Sequence, residues 1–282
     1  MTPKGKLIPI GGSEIRSKQA FSSEEMQLAE NKLDVLARVV AEIKGKETRI
    51  EVLPTASSVP HLVSQDYLNS FQNLGCASVG VMNIRNKKQA LLPEYLERIR
   101  EADALMFSGG NQFKITRAFL GTEMYDLILD RYWNDPTFVI AGTSAGAMMM
   151  SDTMIYEGTS KEAMRTGKAK TTQGMNFLPN SVIDSHFVQR NRYGRLMVAV
   201  ANHPEQIGIG ISENTGIILK EGRYIECIGS SQVCIFDGEK LQLPEFGDYN
   251  EERLMTFSNM VTHILVEGNR FDLATRKMIA SH

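Results

Sequence analysis

Three features of the sequence predict an α/β fold with a largely parallel sheet and helices on both faces. Short apolar runs alternate with helix-like segments through the first two thirds of the 282 residues. Most of these runs end at glycine or proline, and the connections between them are short. Such alternation builds a parallel sheet, because a crossover between parallel strands is normally filled by a helix.

The elements follow in order. KLIPI (6–10) reads as a strand that stops at Gly11-Gly12. Ser22 and Glu25 then stand at capping-box spacing, with Leu33, Leu36, Val40 and Ile43 on one helical face and Gly45 as the stop. RIEVL (49–53) is a second strand ending at Pro54, followed by a helix over about 61–74 and a strand over 77–84. A helix near 93–101 leads into ALMF (104–107), which ends at Ser108-Gly109-Gly110. One long helix is expected next, carrying Ile115, Phe119, Tyr125, Ile128 and Leu129. TFVIAG (137–142) is the next strand, running into the small and sulfur-rich AGAMMM. The last third changes to short runs punctuated by Gly, Asp and Asn, which read as strands and hairpins, interrupted by one helix over about 190–202. This strand-rich tail is expected to extend the same sheet, so residues 1–282 are read as one domain.

Composition narrows the function. Lys and Arg number 31 against 33 Asp and Glu, a formal charge of −2, which argues against a nucleic-acid partner because phosphate backbones are held by a marked basic excess. Cys76, Cys227 and Cys234 form no CxxC and are odd in number, which fits reduced thiols in a cytoplasmic protein. Leu7 to Ile10 is too short for a signal-peptide core, and no stretch approaches the roughly 18 apolar residues of a membrane span. A soluble protein without a membrane partner is expected.

Residues 142–146 read Gly-Thr-Ser-Ala-Gly, directly after an apolar strand. In that context G-x-S-x-G is a nucleophile elbow, a tight turn that lifts the Ser144 hydroxyl above the sheet edge. The N–H of Ala145 then points where an oxyanion would form. A serine nucleophile needs a base, and five histidines are available. His61, His203, His263 and His282 fall at a helix start, a helix end, an apolar late strand and the last position. His186 alone ends a candidate sheet strand, SVIDSH, where ligands bind in open α/β sheets. The orienting carboxylate is Asp184 or Glu213. Asp184 lies two residues before His186 on the same strand, about 7 Å away, a spacing better suited to substrate contact. Glu213 follows IGIGIS at another strand end and is favoured. The order Ser, His, Glu differs from the Ser, Asp/Glu, His order of α/β-hydrolases.

Gly110, after ALMF, lets backbone approach a ligand, so its N–H is a second candidate oxyanion donor. DSHFVQRNRYGR (184–195) places Arg190, Arg192 and Arg195 beside the proposed base, with Arg192 and Arg195 on one helix face. Their guanidinium forks suit carboxylates. Residues 161–170, with Lys161, Arg165, Lys168 and Lys170 against Glu162, read as a mobile loop that could line a groove.

GTSAGA (142–147), SGGNQ (108–112), DSHFVQRNRYGRL (184–196) and HPEQIGIGISENT (203–215) together resemble the cyanophycinases, peptidases related to aspartyl dipeptidase (peptidase E). The resemblance is ordered and nearly full length. It implies a flavodoxin-like, class I glutamine-amidotransferase-like three-layer sandwich with a mainly parallel sheet and a strand-rich C-terminal extension, usually as a homodimer. It also implies Ser144 as nucleophile, His186 as base and Glu213 as orienting acid, with no cofactor and no metal. The substrate implied is cyanophycin, a poly-aspartate backbone bearing arginine on each β-carboxyl, cut exolytically to β-Asp-Arg dipeptides. Arg190, Arg192 and Arg195 would then meet carboxylates, Asp184 a guanidinium, and Gln112 the substrate. Ser185 replaces a glutamine common between the Asp and the His, and Ile15-Arg16 replaces an acidic-basic pair after Glu14. Both departures touch the substrate side. A related dipeptidase acting on Asp-X or isoaspartyl peptides is the alternative. A phosphate-binding module using Gly11-Gly12 and Gly109-Gly110 is disfavoured, because neither a P-loop nor a G-x-G-x-x-G pattern is present.

Overall fold

The computed structural model describes residues 2–14, 34–43, 48–158, 164–165, 167–242 and 254–280. The capping box at Ser22 and Glu25, the Ile15-Arg16 departure, and residues 159–163 and 166 in and beside the basic loop lie outside this set. In the first two thirds, strands β1 (Lys6–Ile10), β2 (Arg49–Leu53), β3 (Ser78–Val81), β4 (Ala104–Phe107) and β5 (Val139–Thr143) alternate with helices. These are α1 (Asp34–Glu42), α2 (Pro60–Asn73), α3 (Lys87–Ala90), α4 (Pro93–Glu101), α5 (Gln112–Phe119) and α6 (Glu123–Asn134). The helix expected after Gly110 is two helices. Its first segment ends at Leu120, Gly121 adopts φ +70°, and the Thr122 side chain caps the second by accepting from the Tyr125 N–H.

After β5 come α7 (Ala145–Met148), β6 (Ser151–Glu157), β7 (Lys170–Gln173), β8 (Leu178–Asp184) and α8 (Tyr193–Asn202). The chain continues with β9 (Ile207–Ile211), β10 (Thr215–Lys220), β11 (Tyr224–Gly229), β12 (Val233–Asp237), β13 (Val261–Leu265), β14 (Arg270–Asp272) and β15 (Lys277–Ile279).

Among the described residues these strands form two sheets rather than one. The first has the order β15-β14-β11-β10-β1-β5-β4-β2-β3 and the second β13-β12-β9-β8-β6-β7. In the first sheet, β1 to β5 are joined by parallel pairs, but β10, β11, β14 and β15 add to β1 in antiparallel register. In the second, β8 pairs in parallel with β6 and β9, and the flanking pairs are antiparallel. The architecture is therefore α/β with mixed sheets. Hairpins account for the difference: at the β10–β11 turn, Glu221 and Gly222 both take positive φ and reverse the chain.

Side-chain alternation along the strands separates two cores. Ile8, Val52 and Met106 face α1 and α2, meeting Val35, Val39, Tyr67 and Phe71. Leu7, Leu53, Leu105 and Ile140 face the other way, toward α4 to α7 and the inner residues Ile183, Ile209 and Ile235 of the second sheet. The outer face of that sheet is covered by α8 through Leu196, Ala199 and Val200. All three cysteines are buried and free. Among the described residues, no helix is long and apolar enough to cross a membrane.

The crossing from β5 into α7 is packed backbone against backbone. A Cβ on Gly142 would lie 2.4 Å from the carbonyl oxygen of Gly146, and one on Gly146 would lie 2.4 Å from that of Phe107. Backbone cannot yield as a flexible side chain would, so both glycines of the G-x-S-x-G segment are required by contact. Gly146→Ala should lower stability by about 1–3 kcal/mol or more, the usual penalty for overpacking a core. Thermal unfolding would show this as a depressed Tm, and a Tm equal to wild type would contradict the packing described.

Candidate active site

The site forms where the C-terminal ends of strands from both sheets converge. Ser144 follows β5 in the first sheet, whereas His186 follows β8 and Glu213 follows β9 in the second. Strands β8 and β9 are parallel neighbours, with Asp184 opposite Gly210, so the segments after them emerge side by side.

Ser144 has φ 53° and ψ −110°, a conformation that costs a non-glycine residue of order 1–3 kcal/mol and persists only when its surroundings impose it. The strain projects the hydroxyl off the sheet edge. Ser144 Oγ lies 2.9 Å from His186 Nε2, and His186 Nδ1 lies 2.6 Å from Glu213 Oε1. A carboxylate only accepts, so Nδ1 carries the proton and donates to Glu213. Nε2 is left to accept from the Ser144 hydroxyl. That is the tautomer a general base requires.

The end of β1 holds these segments in place. The Ile10 carbonyl accepts from the Ser144 N–H (2.9 Å), the Gly11 carbonyl from the His186 N–H (2.7 Å), and the Gly12 carbonyl from the Asn214 N–H (2.8 Å). The Gly11 N–H returns a bond to the Thr215 carbonyl at 2.9 Å. Gly12 takes φ +108°, and a Cβ there would meet His186 Cε1 at 2.4 Å, so the imidazole occupies the space a side chain would fill.

Burial sets the protonation of the base. Burial, opposed by the hydrogen bond that His186 donates to Glu213 and reinforced by the positive charge of Arg190, holds His186 below the ordinary histidine value. The neutral imidazole is therefore favoured at neutral pH. Ala145 opens α7, so its N–H has no acceptor within that helix. Gly109 approaches closely, with an ideal Cβ only 3.3 Å from Ser144 Cβ, which brings the Gly109-Gly110 segment beside the nucleophile.

The residues expected to meet substrate are placed less uniformly. Asp184 is fully buried, and both its oxygens are engaged: Oδ2 accepts from Arg195 Nε at 2.6 Å, while Oδ1 accepts from Arg195 Nη2 and, at 3.0 Å, from Arg192 Nη1. It is thus not presented to a substrate guanidinium, and Arg195, 7% exposed, is enclosed with it. Ser185 is also buried; its N–H donates to Asp184 at 2.9 Å, and its Oγ has no hydrogen-bond partner among the described residues. Arg192 is half-buried and donates to the Ser185 carbonyl at 2.8 Å, whereas Arg190 is exposed beside His186. Gln112 is half-buried and anchors α5 to β6 by donating to the Ile155 carbonyl at 2.9 Å.

Two supporting residues were not anticipated from sequence. Gln189 Oε1 accepts from the Glu213 N–H at 3.0 Å and so fixes the acid's loop. Glu14 is buried, accepting from the hydroxyls of Tyr67 and, at 2.6 Å, Thr143, the residue before the nucleophile. The Gly-Gly-x-Glu string marks Glu14 as a carboxylate close to a strand end, but its partners lie 53 and 129 residues away.

A strained serine, a neutral histidine and a carboxylate in one hydrogen-bonded line define a serine hydrolase. The sequence profile described as peptidase family S51 matches residues 20–227, and the chain belongs to that family. Over 236 residues it is 31% identical to a cyanophycinase of Geminocystis herdmanii, covering 84% of this chain and 86% of that one. It is 28% identical to a cyanophycinase of Trichormus variabilis, over 94% and 91% of the two chains. A solved peptidase from an acI-B1 Actinobacterium superposes with a TM-score of 0.64 at 21% identity, covering 95% of this chain and 97% of that one, a likeness of fold.

Since His186 must be neutral to act, reactivity should rise through a pKa below about 6.5, the ordinary histidine value. Arg190→Gln removes a positive charge beside the imidazolium, so that pKa should move up and the acid limb should shift to higher pH. The pH dependence of Ser144 labelling by an organophosphate reads this without any peptide substrate. An unmoved limb, or one displaced to lower pH, would contradict the electrostatic assignment.

Proposed function

We propose that this chain is a serine-type exopeptidase that hydrolyses cyanophycin to β-Asp-Arg dipeptides through an acyl-enzyme. The observation that carries the reading is the Ser144–His186–Glu213 line, at 2.9 and 2.6 Å, in a member of peptidase family S51. The names of the relatives supply the substrate, since they match over most of both chains.

Ser144 Oγ attacks the scissile carbonyl as its proton passes to His186 Nε2. Glu213, already bonded to Nδ1–H, stabilises the imidazolium. The N–H groups of Ala145 and Gly110 receive the oxyanion. As the tetrahedral species collapses, the imidazolium protonates the leaving amine, and the acyl ester remains on Ser144. Water then attacks with His186 again as base, which releases the dipeptide and restores the hydroxyl. Arg190 and Arg192 suit the free carboxylates of the polymer, since guanidinium forks pair with carboxylates in two-point contacts.

We further propose a flavodoxin-like, class I glutamine-amidotransferase-like core, one domain over 1–282, a homodimer and a cytoplasmic location. The parallel block β1 to β5 with helices on both faces supports the first of these.

Purified protein incubated with cyanophycin should release β-Asp-Arg, detected by mass spectrometry, and Ser144→Ala should reduce the rate by about 10³-fold or more while the fold persists. Full activity in that variant would falsify the mechanism. Cleavage of Asp-X peptides with no action on the polymer would replace the substrate.

A further inference from the structure

We infer that the exposed ring of Tyr156, backed by Phe113, forms a guanidinium subsite of the substrate cleft. The inference rests on the proposed arginine-bearing substrate. It starts from Asp184, whose carboxylate is buried and engaged by Arg195 and Arg192, so a substrate guanidinium must be received elsewhere.

Tyr156 is the penultimate residue of β6, which runs parallel to β8, so it reaches the same sheet edge as His186. Two contacts place it between the nucleophile and the arginine cluster. Gln112 Nε2 donates to the carbonyl of Ile155, the residue before Tyr156, and Gln112 lies three residues beyond Gly109, which packs against Ser144. Three residues span at most about 10 Å, comparable with the reach of an extended arginine side chain. On the other side, the Gly158 carbonyl accepts from Arg195 Nη1 at 3.4 Å.

The local chemistry suits a planar cation. The Tyr156 and Phe113 rings lie 4.9 Å apart between centroids, tilted by 59°. The guanidinium of Arg117 stands 5.6 Å from the Phe113 ring, so this aromatic pair already carries one such group. Tyr156 remains 37% exposed, and an aromatic face attracts guanidinium through its quadrupole. The next residue, Glu157, supplies a carboxylate. It meets Lys170 at 3.0 Å, with both side chains largely exposed, and such a pair is held weakly enough for a substrate cation to compete.

The test compares short aspartate oligomers bearing arginine on each β-carboxyl with the same oligomers bearing citrulline, whose urea has the shape of guanidinium without its charge. Wild type should prefer arginine in kcat/KM. Tyr156→Leu, which keeps bulk but removes the π face, should reduce that preference by roughly 2-fold to 30-fold, the range spanned by a cation–π contact. Tyr156→Phe should keep the preference. Equal preference in wild type and Tyr156→Leu overturns the subsite while leaving the peptidase reading intact, and so does a wild type with no preference. A wild type inactive on both oligomers and on the polymer overturns the substrate reading and the subsite with it. If Tyr156→Leu does not fold, an unaltered preference in Glu157→Gln together with a lost preference in Tyr156→Phe overturns the aromatic assignment.

Discussion

Three successive carbonyls at the end of β1 govern this site. Ile10, Gly11 and Gly12 accept the amides of Ser144, His186 and Asn214, one segment for each arm of the relay. The three arms follow different strands, β5, β8 and β9, in two sheets, so none of those strands could hold the other two arms in line. Backbone hydrogen bonds are short, directional and costly to leave unmade when buried, which makes a strand terminus a better jig than side-chain packing. Gly12 completes the arrangement by yielding its side-chain volume to the imidazole. Ser144, His186 and Asn214 all take positive φ, so backbone strain gathers where these bonds impose it.

Much of the site was legible because its signals are local. G-x-S-x-G records two close backbone approaches, of Gly142 to the Gly146 carbonyl within the motif and of Gly146 to the Phe107 carbonyl on the neighbouring strand. His186 and Glu213 were legible as polar residues ending apolar strands. The two-sheet arrangement was not. A strand such as β12 has the same apolar pattern whether it joins β11 or β9, and register is decided by packing between distant segments. The break between α5 and α6 was hidden because Ile115, Phe119 and Ile128 keep a continuous apolar stripe across Gly121.

Charge shows the same limit. DSHFVQRNRYGR displays one acid among three arginines, and sequence cannot say whether such groups face each other or a ligand. Asp184 and Arg195 lie 11 residues apart yet close on each other, with burial making each the other's necessary partner. Breaking a buried pair of this kind costs about 3–5 kcal/mol, so these residues belong to the frame of the site. Arg190 and Tyr156 are both exposed, and under the proposed substrate reading they would offer one group to each sign of a zwitterionic chain.

The β1 terminus acts as one clamp on all three arms, and amide hydrogen exchange of the wild-type protein and of Gly12→Ala tests this. The Ser144, His186 and Asn214 amides should share one level of protection in wild type and lose it together in the variant. One of the three exchanging freely while the others stay protected would contradict it.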